Sequence, residues 1–316
     1  MRRMTTARPA TWFRLCLGIA LLALLLYWVD VGQALTVVVA ARLDVVALLP
    51  LVLLVDRLMA AFRWYLLVHG KNVAVTFWGI VRLVFVSGFA GYFTPGSVGV
   101  EAVRVYGLSR TISNLALSVT SVLVERLLAL FALTLLILVG LALRPPGLPP
   151  EYGRLAWLAL AVLSVGVCGL MSPGLRRLSL LALPTGWLAP VRRGLQKIYA
   201  VLDDYRRQPG LMLCSLAIAV IFQLNRCLLS AVGAAALGSS LPFVYFVVIV
   251  PVAALVSLMP ISIAALGVRE LAYVYLFGLV GMPAETALAL ALLIRVSGLL
   301  LLLPGAWFYV RRGIYA

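Results

Sequence analysis

Phe93-Thr94-Pro95-Gly96-Ser97-Val98-Gly99-Val100-Glu101-Ala102-Val103-Arg104 interrupts an apolar region at 77–110. Met259-Pro260-Ile261-Ser262-Ile263-Ala264-Ala265-Leu266-Gly267-Val268-Arg269-Glu270 interrupts a second one at 242–280. Each interruption holds a proline, small residues, a Gly-Val pair, and a glutamate with an arginine close by. In hydrocarbon, broken backbone and ionisable side chains are costly, so they persist where protein or a wet cavity covers them. That makes both segments candidates for a substrate path, and their recurrence in the two halves points to an internally repeated, transporter-like membrane protein.

The surrounding composition agrees. Of 316 residues, 64% are hydrophobic and only 11% charged, and the mean hydropathy is +1.13, far from the balance of a soluble domain. Runs of about 20 apolar residues, enough to cross roughly 30 Å of hydrocarbon, recur along the chain. The formal charge of +16 could suggest nucleic acid, but the arginines fall between or at the ends of apolar runs, as topology signals do. Nucleic-acid binding is therefore excluded as a partner class. Arg2, Arg3, Arg8 and Arg14 precede an apolar run from Leu15 to Val29, and no small-residue cleavage site follows, so the run reads as a first anchor rather than a signal peptide. Cys16, Cys168, Cys214 and Cys227 lie in apolar segments without metal-ligand spacing, and His69 is the single histidine. No metal and no cofactor is expected.

The fold class expected is an all-α polytopic membrane protein forming one domain over residues 1–316. Apolar length predicts six full spans at about 15–29, 45–68, 115–142, 154–172, 210–237 and 285–304. The stretch from Pro173 to Gln208 carries Arg176, Arg177, Arg192, Arg193, Lys197, Arg206 and Arg207 against Asp203 and Asp204, so it is expected in the cytoplasm, together with the N-terminus and Arg311-Arg312. These anchors are satisfied together if each interrupted region enters and leaves on the same side as a re-entrant helical hairpin. The halves, about 45–142 and 210–304, are then inverted repeats. Asp56-Arg57 precedes the first hairpin and Asn225-Arg226 the second, while Glu125-Arg126 follows the first and Arg295 the second.

Pro95, Gly96 and Gly99 are expected to break the first hairpin, and Pro260 and Gly267 the second, because proline lacks an amide hydrogen and glycine reaches conformations other residues avoid. A helix restarting near Gly99 presents unpaired amide hydrogens and a positive dipole end, which suits an anion. Glu101 and Arg104 either face one cavity or neutralise each other as an i,i+3 pair. Arg269 and Glu270 are adjacent and do not share a helix face, so different partners are expected, with at least one of them lining the path. Glu125 and Arg126 lie deep in an apolar span and should point into the bundle; Arg295 is similarly placed. Arg57, Glu101, Arg104, Glu125, Arg126, Arg226, Arg269, Glu270 and Arg295 form the expected substrate-binding set. Arg63-Trp64-Tyr65 also reads as an interfacial anchor. Asp203-Asp204 could hold a divalent cation, although a solvated helix face explains them better. No phosphate-binding loop or nucleophilic triad is present.

Phe93, Pro95-Gly96, Gly99, Glu101 and Arg104, then Val124-Glu125-Arg126, then Pro260-Ile261-Ser262-Ile263-Ala264 and Leu266-Gly267-Val268-Arg269-Glu270 together resemble the lysylphosphatidylglycerol synthase transmembrane region, a flippase-like family that includes the UPF0104 membrane proteins. The resemblance covers about residues 10–310. This chain has Gly99-Val100 where the family usually shows Gly-Gly, and Ala265 where glycine is frequent. The resemblance implies a bacterial inner-membrane protein with cytoplasmic termini that moves a polar lipid between leaflets: a phospholipid, a hopanoid or a polyprenyl lipid. In the synthases a soluble aminoacyltransferase domain follows; this chain stops at Ala316, so a stand-alone translocase without enzymatic activity is expected, working alone, as a homo-oligomer, or beside a separate lipid-modifying enzyme. The alternatives are a polyprenyl-phosphate glycosyltransferase or accessory factor using Asp203 or Asp204, and a non-transporting scaffold for a lipid-modifying enzyme.

Overall fold

A computed structural model describes residues 29, 31–71, 73–91, 98–143, 145–147, 151, 153–154, 157–158, 160–162, 164–165, 172, 189–258, 262 and 265–312. The described residues are helical, turn or irregular, with no strand among them. The helices are α1 (Val31–Val39), α2 (Leu43–Val46), α3 (Leu49–His69), α4 (Phe77–Gly91), α5 (Val98–Ile112), α6 (Leu115–Ala142), α7 (Ala189–Arg206), α8 (Pro209–Ala236), α9 (Phe243–Ser257), α10 (Val268–Gly278) and α11 (Ala284–Arg312). Most of the spans expected at 15–29 and 154–172 lie outside the described residues, as do Pro95, Gly96 and Pro260.

Among the described residues, four segments are long and apolar enough to cross a membrane: Leu43–His69, Leu115–Ala142, Pro209–Ala236 and Ala284–Phe308. Their ends follow local chemistry. The Asn114 side chain accepts a hydrogen bond from the Leu117 amide at 3.0 Å and so caps the start of α6, satisfying one of its orphan donors. Pro209 opens α8, where a missing amide hydrogen costs nothing. Pro304 lies inside α11, so the last helix continues through the residue expected to end it; in a bundle, neighbouring groups can take up the freed carbonyl.

Between the long helices sit two pairs of short ones, α4 with α5 and α9 with α10, each pair packed together. The order long, short, short, long therefore occurs twice. A shift of 169 positions (225 minus 56, 270 minus 101) carries Asp56 to Asn225, Arg57 to Arg226, Glu101 to Glu270 and Arg126 to Arg295. The same shift carries Leu115–Ala142 onto residues 284–311, almost the whole of α11. Packing follows this exchange: α3 lies against α8, α4 lies against α11, and its counterpart α9 lies against α6. One core joins α8–α11 through Phe246, Tyr273, Phe277 and Leu290; another joins α3, α4 and α5 through Trp64, Ile80, Leu83 and Leu108.

The second half of the basic stretch is the amphipathic helix α7. It buries Leu202 and Tyr205 against Leu67 and Val124, and the Tyr205 hydroxyl donates to the Leu67 carbonyl at 2.8 Å. Burial pushes the Tyr205 phenol above its ordinary range, so it remains protonated and a donor. Lys71 Nζ stands 4.1 Å from the Tyr205 ring centre. Arg193, Lys197, Asp204, Arg206 and Arg207 remain exposed.

The crossing of α4 and α11 depends on Gly305. A Cβ there would collide with the backbone carbonyl of Phe85, which cannot rotate away as a side chain would. Gly305→Ala is expected to separate the two helices and destabilise the bundle by about 1–3 kcal/mol, the usual cost of overpacking. Thermal unfolding of the detergent-solubilised protein checks this; an unchanged midpoint would contradict the close crossing.

Candidate functional site

A cavity of about 360 Å³, within the roughly 300–1,000 Å³ of small-molecule sites, lies among α3, α4, α5, α6, α8, α9, α10 and α11. Both halves of the chain build it. Several lining residues are equivalents under the 169-position shift: Arg57 and Arg226, Leu53 and Phe222, Ala60 and Leu229, Arg104 and Tyr273, Val100 and Arg269, Ala129 and Gly298. Its charged lining consists of Arg57, Arg63, Arg104, Arg126, Arg226 and Arg269 against Asp56, Glu101 and Glu125. Six arginines against three carboxylates leave an excess of three positive charges.

One buried cluster centres on Glu125, which is 3% exposed. One carboxylate oxygen accepts from Arg63 Nη2 at 2.6 Å and the other from Arg104 Nη1 at 2.8 Å. Aromatic faces support both guanidiniums: Arg63 lies 4.9 Å from the Phe222 ring centre and Arg104 lies 4.5 Å from that of Trp64, contacts that attract a cation to the ring quadrupole. The Trp64 indole is itself fixed by donating to Ser121 at 3.2 Å. Arg63 is thus buried inside the bundle. Apolar neighbours in sequence suggested an anchor, whereas the facing carboxylate on α6 draws the side chain inward.

Glu101 and Arg104 each turn across to α6. Glu101 faces Arg126 at 3.4 Å, while Arg104 takes Glu125. The expected alternative of a private pair within α5 gives way because the Glu125-Arg126 pair presents complementary charges to the same helix. A third cluster joins the halves: Asp56, 1% exposed, faces Arg57 at 3.0 Å and Arg226 at 3.6 Å. Arg226 also feels Arg269 and Arg57, both of its own sign. Arg269 stacks 5.5 Å from the Tyr273 ring, and the Tyr273 hydroxyl shares a 3.1 Å hydrogen bond with Ser230.

Glu270 and Arg295 stand outside the cavity lining. Arg295 Nε donates to Glu270 Oε1 at 2.5 Å, Glu270 Oε2 accepts from the Gly267 amide at 2.8 Å, and Arg295 Nη2 reaches the Ala265 carbonyl at 3.3 Å. Gly267 has φ of +78°, a region in which a side chain is strained, so this turn requires glycine there. Arg269 and Glu270 therefore have different surroundings, with Arg269 in the cavity and Glu270 fully buried. Gly99 occupies the first turn of α5.

Gln223, Ser87, Ser230 and Tyr273 line the cavity as well and were not singled out from sequence. Buried polar residues inside apolar spans were the signal available for Ser87, Gln223 and Ser230. Among the described residues no group of three or more His, Cys, Asp or Glu could hold a metal ion.

Residues 15–305 match the family model described as the lysylphosphatidylglycerol synthase TM region. The chain belongs to that family. Over 99 residues it is 29% identical to a UPF0104 membrane protein of Pyrococcus horikoshii, a stretch covering 31% of this chain and 30% of that relative's length. No solved structure matches. Family membership and the four long apolar helices make this a membrane-integral protein. Within such a bundle, six guanidiniums sharing three carboxylates form an environment that attracts an anion, because each added negative charge relieves repulsion in a weakly screening medium.

Proposed function

We propose that this protein carries the polar or anionic headgroup of a lipid from one leaflet to the other through the cationic cavity, the acyl tails staying in the bilayer. The observation that carries this reading is the lining of six arginines against three carboxylates in a cavity built by both halves. Crossing hydrocarbon with a bare headgroup charge is costly; an arginine-lined path divides that cost into smaller steps. Inverted repeats around discontinuous helices are an architecture suited to such a path, with the site between them.

Helix lengths favour hairpins that return to their own side. Fifteen residues in α4, α5 and α9 span about 22 Å and the eleven of α10 about 17 Å, short of the roughly 30 Å of hydrocarbon. In this reading the protein is a carrier and not an enzyme, resides in the cytoplasmic membrane, and holds its basic 173–208 stretch and termini in the cytoplasm. Its partners are membrane lipids.

The test is reconstitution. Proteoliposomes of anionic phospholipid carrying a trace of fluorescent anionic lipid are treated with a membrane-impermeant reductant, with and without an imposed proton gradient and membrane potential. The expected result is reduction of inner-leaflet label that protein-free vesicles protect. Protection unchanged under all these conditions, with the protein folded and inserted, would refute the reading.

A further inference from the structure

Glu101 and Arg126 are separated by 25 residues (126 minus 101), and so are Glu270 and Arg295 (295 minus 270). Both pairs run from the helix after a break to the long helix that follows, α5 to α6 and α10 to α11. The 169-position shift superposes one pair on the other, glutamate on glutamate and arginine on arginine. Identical chemistry at equivalent places would be expected to adopt one geometry. The structure shows two.

Glu270 and Arg295 are 0% and 14% exposed and in direct hydrogen-bond contact. Their tie also grips the turn before α10, through the Gly267 amide and the Ala265 carbonyl. Glu101 and Arg126 are 31% and 33% exposed, 3.4 Å apart, and both line the cavity. One pair is shut and outside the cavity; its counterpart is looser and forms part of the cavity wall. We propose that the two pairs are the paired gates of one alternating-access cycle, exchanging states as the cavity turns from one side of the membrane to the other.

The proposal rests on the transport reading above. In inverted repeats each half can take the conformation of the other, and the mirrored arrangement is the opposite-facing state. The tight, buried geometry of Glu270–Arg295 therefore describes what Glu101–Arg126 reaches in that state, and the looser, cavity-lining geometry of Glu101–Arg126 describes what Glu270–Arg295 reaches. A packed bundle with two discrete arrangements is the bistable element such a transition needs. Each tie stabilises the state in which it is shut. Removing either one biases the population toward the state in which it is looser.

The test uses the full chain with Cys16, Cys168, Cys214 and Cys227 replaced by serine or alanine and Ala129→Cys, a cavity-lining position, as reporter. Labelling of position 129 by a membrane-impermeant thiol reagent is measured from each side of oriented vesicles. Glu270→Gln is expected to shift the ratio of labelling from the two sides of the membrane by roughly tenfold. Glu101→Gln is expected to shift the same ratio in the opposite direction. Shifts in the same direction, or no shift in either variant, overturn the proposal. Where Glu270→Gln fails to accumulate, Arg295→Lys, which keeps the charge but not the Nε and Nη2 contacts, replaces it. Should that also be lost, Glu101→Gln and Arg126→Lys on the cavity-lining pair must still shift the ratio, both in the same direction, and an unchanged ratio is then decisive against the gates. Lipid movement is measured on the same preparations. Opposite shifts without lipid movement keep the gates and refute the lipid reading, whereas lipid movement without shifts refutes the gates alone.

Discussion

Glu125→Gln is expected to leave little folded protein in the membrane. The carboxylate of Glu125 is buried and is shared by Arg63 and Arg104, so its neutralisation strands two guanidiniums in a cavity that already holds excess positive charge. Breaking a buried ion pair by removing one partner costs about 3–5 kcal/mol, a large share of the roughly 5–15 kcal/mol that stabilises a typical protein. Arg63 Nε and Nη1 have no hydrogen-bond partner to compensate. Membrane abundance and the thermal midpoint in detergent are the measurements. Adding Arg63→Gln to Glu125→Gln should recover part of the loss, because it removes a stranded charge, and Glu125→Asp should fall between the wild type and Glu125→Gln. A single Glu125→Gln variant as abundant and as stable as the wild type would mean that water in the cavity, rather than Glu125, solvates the two arginines.

This cluster also shows what was legible in the chain and what was not. Apolar length set α6 at 115–142, where the structure has Leu115–Ala142, and α8 at 210–237 against Pro209–Ala236, because both are bounded by residues with a local reason to start or stop a helix. The end of α11 was not legible: Pro304 reads as a terminus, yet the helix runs on to Arg312. Partner choice was the least legible layer. Spacing puts Glu101 and Arg104 on one helix face, but which charge each meets depends on where α6 docks, and Arg63 beside Trp64 and Tyr65 carries no local sign that Glu125 waits 62 residues away. The turn at Gly267, in contrast, announces itself, since glycine beside charge inside apolar sequence has few structural explanations, and α10 starts directly after it.

The same electrostatic reasoning separates the arginines that share a buried carboxylate closely from those that stand in a field of like charge. Arg63 and Arg104 share Glu125, whereas Arg226 shares Asp56 with the closer Arg57 and stands in the field of two like charges, Arg57 and Arg269. Withdrawing charge at Arg226 or Arg269 relieves repulsion among the cavity arginines and leaves Asp56 its 3.0 Å partner. Stability should therefore hold where Glu125→Gln loses it. Transport should not. A hydrogen bond to a charged group contributes about 1.5–3 kcal/mol, so Arg226→Gln and Arg269→Gln are each expected to slow movement of an anionic lipid by roughly ten- to a hundredfold, and together by more than either alone. Both variants should reach near-normal abundance. The proteoliposome assay, run with anionic and with zwitterionic labelled lipids, reads the outcome. Loss confined to the anionic lipid would identify these two residues as the headgroup contacts, and movement of the anionic lipid at the wild-type rate in the folded double variant would remove them from the site.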